Sequence, residues 1–191
     1  MKLPTLLLLL ASAVTASAAS GLGGPDVNAP SYNRLGLTGD FTNNSGRAVD
    51  VSFSVALGET VFLAGQTSLY GRLDGVDSTL TGVGIGFRFR PTQSSTLHVE
   101  LGGAHLQYAN AIGIESGFVG LGYRVRLAPS VEIDTGFRKF IADGPFSVDQ
   151  ASLSVSALFF LTSSFSLDVN LGKDFQGDKS TRYGLGLTYH Y

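Results

Sequence analysis

From Ser31 to the last residue, apolar side chains recur at every second position, and helical spacing is hard to find. Successive side chains of a strand point to opposite faces, so an alternation sustained over that length demands sheet from end to end. Over this stretch the longest uninterrupted apolar run covers residues 157–161, far short of the ~20 residues a membrane helix needs. The chain is all-β, and if it crosses a membrane it does so with strands.

Following the apolar register yields ten strands. Leu35, Leu37 and Phe41 mark the first, Val49 to Leu57 the second, and Val61, Leu63 and Leu69 the third. Val83 to Phe89 follow, then Leu97, Val99 and Leu101, then Val119 to Leu127. The last four carry Val131, Ile133 and Phe137; Leu153, Val155, Phe159 and Leu161; Phe165 to Leu171; and Tyr183 to Tyr191. In the fifth strand the apolar row jumps at Gly102-Gly103 to Ala104, Leu106 and Tyr108, which predicts a β-bulge at the glycine pair. Short turns near residues 58–59, 91–95, 128–130 and 162–164 alternate with connections richer in Asp, Asn and Gly at 42–48, 74–78, 110–113, 142–149 and 174–180. Both chain ends then lie on the turn side, the parity an up-and-down antiparallel barrel needs. Eight strands are the second choice.

Alternation alone also fits a soluble sandwich or a lipocalin-like barrel, and the second face separates these from a membrane barrel. A soluble sheet fills its wet face with long charged chains, yet charged residues make up only 15% of this chain, against about 25% in ordinary domains. The second face is instead small, as in Ser152, Ser154 and Ser156, or Gly82, Gly84 and Gly86. Small residues suit the inside of a narrow closed barrel. The apolar face then meets lipid, and the strand lengths, short turns and longer loops fit a transmembrane β-barrel. Phe87, Phe89, Phe159, Phe165, Tyr189 and Tyr191 near the turns, with Phe41, Tyr108 and Tyr183 near the loops, are candidates for the two interfacial girdles.

Residues 1–18 combine Lys2, the apolar run 6–10 and the small-residue stretch Ala16-Ser17-Ala18, the pattern of a cleaved secretory signal peptide. Residues 19–30 are rich in Gly, Pro and Asn and are expected to form a flexible periplasmic leader, which leaves 31–191 as the barrel. The near-balanced charge, 13 basic to 15 acidic residues, argues against a nucleic-acid partner. The absence of cysteine excludes a disulfide scaffold, a Cys-based metal site and a lipidated cysteine.

The final segment TRYGLGLTYHY ends in Tyr191, with Tyr189, Leu187, Leu185 and Tyr183 at every second position before it. This resembles the C-terminal membrane-assembly signal of bacterial outer-membrane β-barrels. With the signal peptide and the alternation, the chain is similar to the small single-chain outer-membrane barrel families, including the OmpA-type transmembrane domain. The resemblance implies residence in the outer membrane of a Gram-negative cell envelope, contact with lipid and lipopolysaccharide, and recognition by the barrel-assembly machinery. It covers residues 31–191, is architectural, and brings no active-site motif.

Chemistry is then confined to the lumen. The even register turns Arg34, Asp40, Asp50, Arg72, Arg88, His98, Glu100, Arg124, Arg126, Glu132, Asp134, Arg138, Asp168, Arg182 and His190 inward. Around Pro129 one register sets Arg126 opposite Glu132 and Arg124 opposite Asp134, and opposite charges facing each other support it. Around Pro91 it sets Arg88 opposite His98, with Glu100 diagonal to the arginine. At the loop end Asp40 is expected across from Asp50, neutralised by Arg182 or Arg72. These charges form either a ladder of internal ion pairs or a selectivity constriction. Ten strands lie near the filled end of the barrel series, which favours packing.

Catalysis finds little support. His105 with Glu115 and Ser116 can be drawn as a triad, and a solvated histidine is the better reading. Asp40 and Asp50 are too few oxygen ligands for calcium, and Gly82-x-Gly84-x-Gly86 sits inside a strand, unlike a nucleotide loop. No catalytic residue, metal or cofactor is expected. The chain reads as a monomeric, non-enzymatic barrel with a structural or interaction role and a side-chain-packed lumen. The alternatives are a narrow porin-like channel and a lipid-modifying enzyme.

Overall fold

The computed structural model describes residues 30–43, 46–71, 78–108, 113–141, 151–175 and 179–191. The expected signal peptide, nearly all of the leader, Arg72 and parts of the five longer loops lie outside the described residues.

Ten strands follow one another: β1 (Arg34–Thr42), β2 (Arg47–Ala56), β3 (Val61–Gly71), β4 (Ser78–Thr92), β5 (Ser95–Tyr108), β6 (Ile114–Ala128), β7 (Val131–Ile141), β8 (Ala151–Phe160), β9 (Phe165–Asp174) and β10 (Thr181–His190). Each pairs antiparallel with its neighbours in sequence, and β1 pairs with β10 from Arg34↔His190 to Thr42↔Arg182, closing the barrel. Closure removes both sheet edges, so the strand backbones satisfy their hydrogen bonds within the sheet, as a water-free surround requires.

The two faces divide as the alternation predicts. Outward positions such as Leu37, Val83, Ile85, Leu121, Leu171, Leu185 and Leu187 are exposed, while the even positions Phe62, Arg124, Glu132, Leu158 and His190 are buried inside. Such an arrangement suits a lipid surround and would be costly in water. The turn-side aromatics Phe87, Phe89, Phe159, Phe165 and Tyr189 are exposed on this outer face, as are Phe41 and Tyr183 towards the loops.

Two register expectations are corrected. Pairing of β5 with β4 and with β6 runs unbroken through Gly102 and Gly103, so no bulge lies there; the shifts fall beside the turns, at Phe89/Thr92 and Arg126/Ala128. The glycine at 102 serves a ring instead: a β-carbon on it would sit 2.5 Å from Cζ of Phe118. Because the register does not jump, Ala104 is buried, and Leu106 and Tyr108 line the lumen. Tyr108 is thus no part of the outer girdle.

Strands β4, β5 and β6 have 15, 14 and 15 residues and outreach their neighbours. Their loop-side outward positions change from Val83, Leu101 and Val119 to Thr79, Thr81, His105, Gln107 and Glu115. This part of the wall therefore continues past the apolar band.

Candidate functional site

The lumen has two unlike halves. On the loop side a cavity of about 840 Å³ is lined by Thr38, Asp50, Gln66, Ser152, Ser154 and Asn170 among others, and it reaches down to Arg34, His98, Arg124 and Asp134. On the turn side the space is filled. Arg124, Tyr32, Phe62, Leu158, His190, Glu132, Thr96 and Pro30 are all less than 2% exposed as side chains.

Charged side chains divide the halves. Arg124 Nε donates to Asp134 at 2.7 Å, Arg34 Nη2 donates to the same oxygen at 3.2 Å, and Arg126 donates to Glu132 at 2.9 Å. Both pairs expected around Pro129 are present. Arg88 stands across from His98 as expected, but Glu100 does not serve it. From β7 Arg138 passes over Gly120 of β6 to donate to Glu100 on β5 at 2.8 Å, and reaches across the lumen to donate to Gln66 on β3 at 2.5 Å. Arg88 donates instead to the turn carbonyls of Gly58 and Glu59, at 2.5 and 2.7 Å. A diagonal partner on β4 was expected for Glu100, but its partner lies on its other side, two strands away on the same row, where Gly120 leaves the space between them free.

At the loop end a further correction applies. Asp50 lies across from Thr38, and Asp40 across from Ala48 on one side and Gly184 on the other. The two residues are diagonal to each other on adjacent strands, and both line the loop-side cavity. Arg182 donates to Asp174 at 3.2 Å rather than to either of them.

Tyr32, just before β1, went unremarked in the sequence. Its ring lies 4.5 Å from that of Phe62, with the guanidinium of Arg124 at 4.3 Å and that of Arg88 at 4.8 Å from its centroid. Its hydroxyl is 3.0 Å from Nδ1 of His98. Ser54 donates to the Tyr32 carbonyl at 2.6 Å, and Arg124 donates to that of Ser31 at 3.0 Å. Residues 30–33 thus turn into the barrel and fill its turn-side mouth. The available signal was an aromatic at 32, in step with the inward Arg34 yet preceding the first apolar marker, Leu35.

No protein-family model and no curated protein matches the chain. Solved structures do. It is similar to the KdgM porin, with 10% identity, a TM-score of 0.51 and coverage of 83% of this chain and 99% of that one. It is likewise similar to the NanC porin, with 10% identity, a TM-score of 0.52 and coverage of 82% and 100%. The fold is that of an outer-membrane β-barrel. At such identity the likeness carries architecture and no solute.

Within this outer-membrane-type barrel the drawn triad comes apart. His105 Nδ1 is 2.6 Å from Glu115 and both are on the outer face, whereas Ser116 is on the lumen register, where its hydroxyl donates to the Ala104 carbonyl at 3.5 Å. A second serine and histidine do meet in the turn-side lumen: Ser166 Oγ is 3.0 Å from His190 Nε2 and donates to Asp168 at 2.8 Å, and Thr188 also donates to Asp168. Here the carboxylate holds the hydroxyl and leaves the ring Nδ1 without a partner, the reverse of the order that orients a catalytic base. Ser166 is also fully buried. Among the described residues no three His, Asp or Glu side chains gather in a way that could hold a metal ion.

Proposed function

We propose that the chain is a non-enzymatic integral protein of the outer membrane that stands closed to solutes and contributes structure and an interaction surface to the envelope. The observation that carries this reading is the filled turn-side mouth, where Tyr32 and Pro30 join wall residues that are less than 2% exposed. The apolar outer face supports a lipid and lipopolysaccharide surround, and the row Tyr183, Leu185, Leu187, Tyr189 and Tyr191 on and after β10 suits recognition by the barrel-assembly machinery. The reading takes the protein as a monomer, since a closed barrel leaves no strand edge to pair.

The porin-like alternative is favoured by one observation, the loop-side cavity of about 840 Å³. Reconstitution of the purified wild-type protein in planar bilayers decides between them. The closed reading expects a silent bilayer; regular single-channel steps from wild-type protein would overturn it.

A further inference from the structure

The turn-side mouth is shut by a segment that belongs to no strand. Wall side chains there are folded back rather than directed across the axis. Phe62 lies against Gly86, where a β-carbon would come within 2.1 Å of its ring, and His98 lies against Gly122, where one would come within 2.2 Å. Glycine at these two positions lets both rings lie flat and leaves axial space that Tyr32 then occupies. A lumen packed only for stability could be filled by the strands themselves, as β8 does with Leu158.

The hold on Tyr32 is of a different kind from the hold on the wall. It consists of side-chain contacts from His98, Ser54, Arg88 and Arg124, whereas the next residue, Asn33, is anchored to the strand ends by the backbone N–H groups of Ala56 and Tyr191. The strands, by contrast, are tied by continuous ladders. Segments held by separate side-chain contacts, without a backbone ladder, open at lower free energy than the ladders around them. The groups that grip the plug also form the floor of the open cavity, since His98 and Arg124 line it. Withdrawal of the segment towards the turn side would join that cavity to the other side of the membrane.

We propose that the barrel is a gated pore for small anions and that residues 30–32 are its gate, with Tyr32 as the stopper and Asn33 as its anchor. This goes beyond the closed resting state and rests on it. The anion preference follows from the groups the ring now covers. Arg124 shares Asp134 with Arg34, and Arg88 donates to the backbone carbonyls of Gly58 and Glu59, so among the described residues an opened mouth exposes more guanidinium than carboxylate charge.

The test compares wild type, Tyr32→Ala and Tyr32→Phe in planar bilayers, each shown to be folded by its heat-modifiable mobility in gels. Wild type and Tyr32→Phe, which keeps the ring, are expected to be silent, whereas Tyr32→Ala gives stepwise currents with a reversal potential on the chloride side. Folded but silent Tyr32→Ala overturns the gate and leaves the closed reading standing; a conducting wild type overturns both. Cation-selective currents overturn the anion pore. Should Tyr32→Ala not fold, Ser31→Cys serves in this cysteine-free chain. Reaction with a bulky maleimide is expected to trap the segment outside and switch conductance on, and complete protection of the thiol overturns the gate.

Discussion

Single side chains in this barrel are placed as much by the glycines opposite them as by their own chemistry. Phe62 is fully buried against Gly86 and touches Tyr32. Gly86→Ala is therefore expected to destabilise the barrel by about 1–3 kcal/mol through overpacking, read as a lower urea midpoint in detergent. Combining it with Phe62→Leu should recover part of that loss; an unchanged midpoint in Gly86→Ala would contradict the packing described. The ion pairs show where sequence reasoning reaches and where it stops. Arg126 with Glu132 and Arg124 with Asp134 follow from a hairpin register. Arg138 with Glu100 needs the register of three strands, since the two flank Gly120 of β6 on one row and meet over a position that carries no side chain; Arg138 with Gln66 on β3 follows from no strand pairing at all.

Among the elements, β10 and the β4–β6 wall make opposite use of the same alternation. On β10 the outward row Tyr183, Leu185, Leu187 and Tyr189 is apolar throughout and lies in the band that faces lipid. On β5 the row ends in His105 and Gln107, beyond the band. Arginine on a barrel's lipid face costs about 2–4 kcal/mol at the midplane and about 0–1 near the interface. Leu187→Arg is thus expected to lose that larger amount in unfolding from lipid vesicles and His105→Arg little. Equal losses at the two sites would place the band elsewhere. The ten strands themselves were readable because each repeats its apolar marker several times. The bulge expected at Gly102 was not present because the change from an outward to an inward apolar row at Ala104 reflects the end of the lipid band, which alternation alone does not distinguish from a slip in register.

Across the whole molecule, the exposed apolar belt and the charged interior invert the usual order of a soluble protein. Folded protein is accordingly expected to stay dispersed only with detergent or lipid, and to precipitate when detergent is removed by dialysis; a monodisperse detergent-free sample would sink the membrane reading. Sequence periodicity fixes the strand count, the inward and outward sets and the pairing within hairpins, because these depend on contacts local in the chain. The division of the lumen into an open half and a filled half is not local. It depends on which side chains cross the barrel and on residues 30–33 entering a mouth that exists only once β1 and β10 have closed it.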